Sequence, residues 1–239
     1  MINTGVLVHV YYLEAGWEAL VWGDPARGIM GTLPKLVQLM LVENPDEPIT
    51  DIVMYTGPSR RDGLNEGEYG KKYLLDHFDQ LASFPQLKPL FEKLTDKQQH
   101  GLYHKLEERI HTREQLVNSA DEVLNAAKFF QERNITKVFQ IAAASHAPRC
   151  IQLQTIVRYK GQIPTEQFWF TIAADTSYVN TTPSDVVVAE PPHRGDDPAL
   201  GVHPSITDIL KQYYKLPYEA RQPFLRAVES ALDGLPEYQ

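Results

Sequence analysis

A hydroxyl, an imidazole and a guanidinium stand close together at Ser145-His146-Ala-Pro-Arg149, directly after the apolar run from Val138 to Ala144. A histidine in a loop that follows a buried strand can serve as a general acid or base, or donate to a phosphate oxygen. The planar fork of Arg149 suits an anionic group. Each residue also has a plain role: His146 ties down its loop, and Arg149 pairs with Glu114 or Glu66. Ser145 beside His146 suggests a nucleophile and its base, yet adjacent side chains rarely face each other, and no Gly-x-Ser-x-Gly elbow is present. A second candidate lies upstream. Thr112-Arg-Glu114-Gln115 matches a capping box, and a helix starting at Thr112 would offer free amide protons to a phosphate or carboxylate. Glu114 in that first turn is ordinary dipole compensation unless it contacts a ligand.

The elements that would position these groups alternate between strand and helix patterns. Residues 5–12 read as a strand, and 32–42 as a helix with Thr32 as cap and Pro34 in its first turn, stopped at Asn44-Pro45. Residues 49–56 read as a second strand, a turn-rich loop spans Gly57 to Gly63, and a helix covers about 65–82. Residues 84–108, with Pro85 and Pro89, break the rhythm and read as a helical insertion, a common source of pocket lids. From Thr112 the apolar residues Leu116, Ala120, Val123, Leu124, Ala127 and Phe130 fall on one helical face. A strand at 138–144, a helix at 149–159, strands at 168–174 and 185–189, and helices in the tail from 205 complete the pattern. Such alternation predicts an α/β fold with a mostly parallel sheet, a single domain over 1–239, and a site at the strand carboxyl ends.

Composition narrows the partners. The chain of 239 residues carries 23 Lys and Arg against 31 Asp and Glu, a net charge of -8, with no basic stripe to meet a phosphate backbone, so nucleic acid is not expected. No secretory pattern opens the chain, and no run approaches the ~18 apolar residues of a membrane span; a cytoplasmic, non-membrane protein is expected. One cysteine, Cys150, allows no intrachain disulfide and reads as a small buried helix residue. His193, His203, Asp196 and Asp197 lack metal-site spacing, so no metal is expected. Arg60 and Arg61 lie outside any Walker or GxGxxG pattern and read as solvated. Trp17, Trp22, Tyr11 and Tyr12 either stack on a planar base or close the core, the core being the simpler role. Tyr213, Tyr214 and Tyr218 suit packing onto the sheet or onto a second subunit of a homo-oligomer.

The Thr112-Arg-Glu114-Gln115 segment, the strand after it, and Ser145-His146-Ala-Pro-Arg149 together resemble the YdcF, SanA and ElyC family in residue type, order and spacing. That family shows a strand ending in glycine, a glutamate opening the next helix, a Thr-x-Glu-Asn helix start and a Ser-x-His-x-x-Arg strand end. Gly57, Glu66, Thr112, Glu114, His146 and Arg149 fall at matching places. Gln115 stands for the family's asparagine, His111 replaces another, and the first strand ends in Tyr11-Tyr12-Leu13-Glu14 without a glycine pair. The resemblance implies a Rossmann-like three-layer sandwich and an adenosine-type ligand such as S-adenosylmethionine or an adenine nucleotide. It also implies that Glu114 accepts hydrogen bonds from a ribose or amine.

Three functions are consistent with these residues. In the first, the protein is an enzyme of transfer or hydrolysis on a nucleotide-like or phosphorylated small molecule, with Gly57, Glu66, Thr112, Glu114 and Ser145 binding and His146 and Arg149 handling developing charge. In the second, the same crevice is a non-catalytic nucleotide or S-adenosylmethionine sensor. In the third, the insertion and tail make the protein an interaction scaffold.

Overall fold

The run Thr-Gly-Val-Leu-Val is buried at every position in the computed structural model and forms β1 (Thr4–Val8). It is followed by α1 (Trp17–Val21), a hairpin of β2 (Gly23–Asp24) and β3 (Ile29–Met30), α2 (Thr32–Leu41) and β4 (Ile49–Thr56). A second small hairpin, β5 (Arg60–Arg61) and β6 (Leu64–Asn65), leads into α3 (Glu66–Asp76), and a 3-10 turn at Phe78–Ser83 precedes α4 (Lys88–Phe91) and α5 (Asp96–Arg109). Then come β7 (Ile110–Gln115), α6 (Ser119–Gln131), β8 (Lys137–Ala142), α7 (Ala147–Tyr159) and β9 (Phe168–Ala173). The structure describes residues 3–13, 16–44, 46–57, 59–115 and 119–178, with positions 217, 220, 223, 224, 226 and 227 of the tail.

Five strands form one parallel sheet in the order β7-β4-β1-β8-β9. The chain winds outward from β1 through β4 to β7, then returns to β8 on the other side of β1. That reversal puts a topological switch point between β1 and β8, where open α/β sheets bind ligands beyond the strand carboxyl ends.

Alternation along β1 divides the core. Val6 and Val8 face a layer with Leu33, Leu36 and Val37 of α2, Leu74 of α3 and Leu106 of α5. Leu7 faces the opposite layer with Val123, Ala127 and Phe130 of α6 and Val157 of α7. The fold is the Rossmann-like three-layer α/β sandwich expected. A Cβ on Gly5 would lie 2.6 Å from the Phe130 ring, so glycine at this central position lets α6 pack close against β1.

By its contacts the chain divides into two compact units, Met1–Val186 and Val187–Gln239. All the elements above belong to the first. In the second, Ala220, Pro223, Phe224, Arg226 and Ala227 are helical. The strand expected at 185–189 and most of the tail lie outside the described residues.

Several expected elements are corrected. The helix start at Thr112 is instead the edge strand β7, with Thr112 paired to Met54 and Ile110 to Ile52. Open backbone groups along β4 and the extended-favouring residues Ile110 and Thr112 outweigh a local capping pattern. Helix α6 begins at Ser119, with Asp121 and Glu122 in its first turn; Val123, Ala127 and Phe130 are fully buried, as the periodicity required. Helix α3 ends at Asp76, and the residues to Ser83 tighten into the 3-10 turn. Gly31, not Thr32, caps α2, and Thr32 is its first residue. Strand β1 ends at Val8, and the following residues leave the sheet with Tyr11 at φ 57°. The 84–108 stretch is helical; Phe84, Leu87, Phe91, Leu102 and Leu106 are buried in the layer that holds α2 and α3.

Candidate functional site

Beyond the carboxyl ends of β1, β4 and β8 lies a cavity of about 280 Å³. Each strand turns a short loop into it, so residues far apart in sequence meet there. His9 and Tyr11 come from the chain after β1, Tyr55 from β4 and Gly57 from just beyond it, and Glu66 from the first residue of α3. Ser119 and Glu122 come from the first turns of α6, and His146 and Arg149 from the start of α7. Tyr178 closes the rim. No residue of the 84–108 insertion is among the described residues that line it.

The segment after β9 is tied across this end of the sheet. Ala144 N donates to Thr176 O (2.7 Å), Met30 N to the Asp175 carboxylate (3.0 Å), and Thr176 Oγ1 to Leu20 O (2.7 Å). These bonds set Tyr178 beside Tyr11, ring centroids 5.4 Å apart.

A chain of titratable groups forms the floor. His9 is buried, and its Nδ1 meets Glu122 Oε2 at 2.5 Å. Burial disfavours charge on that imidazole, but the Glu122 carboxylate and the Cys150 sulfur outweigh it and raise its pKa to about 10. Burial pushes the Glu122 carboxyl up, His9 outweighs that, and the net direction is down. On the other face of His9, Nε2 lies 2.7 Å from Gln140 Nε2 and 3.5 Å from Cys150 Sγ. An imidazolium Nε2–H there requires the Gln140 amide turned so that its oxygen accepts, and the Gln154 amide that meets it turned as well, exchanges of amide positions that leave the shape unchanged.

His146 is 7% exposed and its ring centroid lies 5.2 Å from that of His9. Burial, then the charges of His9 and Arg149, lower its pKa to about 3 against the opposing pull of Glu122, so the ring is neutral at physiological pH. Its Nδ1 faces Tyr11 Oη at 3.3 Å and Cys150 Sγ at 3.7 Å, and its Nε2 faces Ser119 Oγ at 3.5 Å. Arg149 is exposed at the rim and makes no hydrogen bond or ion pair with any described residue. Glu66 is 2% exposed. Its Oε1 accepts from Ser59 N at 2.8 Å and from the Ser59 hydroxyl, while its Oε2 has no partner among the described residues. Gly57 makes room for it, since a Cβ there would stand 2.8 Å from Glu66 Oε1.

The cavity thus brings together Gly57, Glu66, His146 and Arg149 from the residues singled out by sequence. Ser145 sits behind the loop, its Oγ accepting from Tyr178 N at 3.1 Å. Thr112 and Glu114 lie on β7, and Thr112 is not among the cavity-lining residues. Cys150 is fully buried in α7, as expected, beneath the cavity floor. Trp17 and Trp22 are core residues, Trp17 Nε1 donating to Val10 O at 2.5 Å. Sequence reasoning missed His9, Ser119 and Glu122. The one visible signal was His9 itself, a basic side chain interrupting the apolar run from Val6 to Val10.

No family model, no curated protein and no solved structure matches this chain.

Proposed function

We propose that this cavity is an active site for transfer or hydrolysis on a phosphorylated or nucleotide-like small molecule. The observation that carries the reading is the pairing, at the switch point of the sheet, of a neutral His146 with an exposed Arg149 that has no partner among the described residues. An arginine at a cavity rim without a carboxylate of its own is suited to an anionic ligand, and its fork matches phosphate oxygens. A neutral imidazole beside it adds a hydrogen-bonding group to charge that develops in the transition state without adding a second fixed cation. Glu66, held through Oε1 by Ser59, leaves Oε2 without a partner among the described residues, an acceptor suited to a hydroxyl or amine on the ligand. The resemblance to the YdcF, SanA and ElyC family supports the same class and adds S-adenosylmethionine and adenine nucleotides as specific candidates.

Thermal midpoints of the wild type and Arg149→Ala, taken over S-adenosylmethionine, adenine nucleotides, nucleotide sugars and sugar phosphates, test the reading. A ligand at ~100 times its Kd adds about 2.7 kcal/mol to stability. A rise for a phosphorylated compound that disappears in Arg149→Ala supports the proposal and selects the compounds for turnover assays. No rise with any of them removes it.

A further inference from the structure

Tyr11 is the one residue in the left-handed region among the described residues that line the cavity, at φ 57°. A bulky side chain there costs about 1–2 kcal/mol and persists only where its surroundings hold it. They do so here from both sides: His9 N donates to Ile141 O at 3.1 Å, Val10 O accepts from Trp17 Nε1, and Leu13 N donates to Ser59 Oγ at 2.9 Å. The result of this constraint is a phenol placed between the β8 loop and the His146 ring.

The hydrogen-bond directions at that phenol are not free. Ala143 N lies 2.7 Å from Tyr11 Oη, and a backbone N–H can only donate, so the phenol oxygen accepts there. Burial keeps the phenol protonated, raising its pKa well above the ordinary value. Its proton has one acceptor among the described residues, Nδ1 of His146 at 3.3 Å. The Cys150 sulfur lies 3.7 Å from the same nitrogen. The Tyr11 hydroxyl is therefore a donor at Nδ1, and a neutral imidazole that accepts at Nδ1 carries its own hydrogen on Nε2. Nε2 faces Ser119 Oγ and the cavity.

We propose that Tyr11 is a positioning residue that fixes His146 as its Nε2–H tautomer, so that the imidazole presents a donor and not a base to the cavity and, with Arg149, seats an oxyanion of the phosphate type. The ligand part rests on the reading of the cavity given above; the tautomer does not. The groups facing His146 are Tyr11 and His9 from the chain after β1, Ser119 and Glu122 from α6, Arg149 and Cys150 from α7, and Tyr178. Among these, the Tyr11 donor at Nδ1 favours one tautomer, and the positive charges of His9 and Arg149 favour the neutral ring.

The test is long-range proton–nitrogen NMR of histidine-labelled protein without ligand, with His146 assigned by its loss in His146→Gln. The expected spectrum has a bare Nδ1 and a protonated Nε2 on His146, unchanged from about pH 5 to 8, and a mixture of tautomers in Tyr11→Phe. A protonated Nδ1 in the wild type, or an imidazolium at pH 6, overturns the proposal whether or not Tyr11→Phe folds, and so does a Tyr11→Phe spectrum identical to the wild type. Inorganic phosphate is then titrated in. A shift of the His146 Nε2–H signal that is absent in Arg149→Ala supports the oxyanion seat. The expected tautomer with no response to phosphate refutes the seat and counts against the functional reading, while the role of Tyr11 stands.

Discussion

Replacing Glu122 by Gln removes the counter-charge of the buried His9 and keeps the shape of the side chain. Each pKa unit gained on folding corresponds to about 1.4 kcal/mol, so the rise of His9 from 6.5 to about 10 bounds the charge pair at about 5 kcal/mol. Breaking a buried pair by deleting one partner costs ~3–5 kcal/mol, and the Glu122 side chain is 24% exposed, which favours the lower end. The expected loss at pH 7 is about 3 kcal/mol.

The pH dependence isolates the cause. His9 is raised in the folded state, so its contribution is complete below about pH 6.5 and is lost as pH rises toward about 10. Folded protein binds the extra proton through that window, and wild-type stability should fall by up to about 1.4 kcal/mol per pH unit between pH 7.5 and 9. In Glu122→Gln the buried imidazole loses its proton well before this range, and the slope should flatten. His146 acts elsewhere: held neutral when folded, it weakens the fold only as pH falls below about 6.5 toward about 3. Urea unfolding followed by the emission of the buried Trp17 and Trp22, at steps from pH 6 to 9, measures both effects. Parallel slopes in the two proteins, or a loss below about 1 kcal/mol, would refute the account of the pair.

Two further outcomes are expected. Gly5→Ala should destabilise by ~1–3 kcal/mol, because the new Cβ would lie 2.6 Å from the Phe130 ring; chemical denaturation checks this, and an unchanged midpoint would show that α6 can shift freely. Cys150, fully buried, should react with a thiol reagent in native buffer only as fast as the protein opens, so labelling rates should track unfolding rates across urea concentrations; rapid labelling of the native protein would place the thiol within reach of the cavity.

Strands β1, β4, β8 and β9 were legible in the sequence because each is rich in β-branched, aromatic and other apolar residues over strand length. Residues 49–56 and 168–173 needed no tertiary information. Strand β7 was not legible: Ile-His-Thr-Arg-Glu-Gln carries few apolar residues, and its Thr-x-x-Gln spacing imitates a helix cap. Its conformation is set by the open edge of β4, a partner more than fifty residues away in the chain. The tiny hairpins and α1 escaped for a related reason, since two-residue strands and a five-residue helix are too short to show a period.

The site divides along the same line. Its α7 end was visible because Ser145, His146 and Arg149 fall within five residues and follow an unmistakable strand. Its electrostatics were not, because they depend on what the parallel pairing of β1 with β8 brings together. His9 follows directly on β1, and that pairing sets it against the loop that carries His146, while α6 delivers Glu122 from the opposite layer. With Glu122 in place His9 holds a proton; with His9 charged, His146 does not. Two histidines of equal intrinsic pKa are thereby driven apart, one to about 10 and the other to about 3. A pair of titratable groups separated in this way marks a site where protonation states are assigned by the fold. Both line the cavity; the charged one is paired with Glu122, and the neutral one stands in the same turn as the exposed Arg149, so that turn offers an anion hydrogen-bonding capacity and not a second cation.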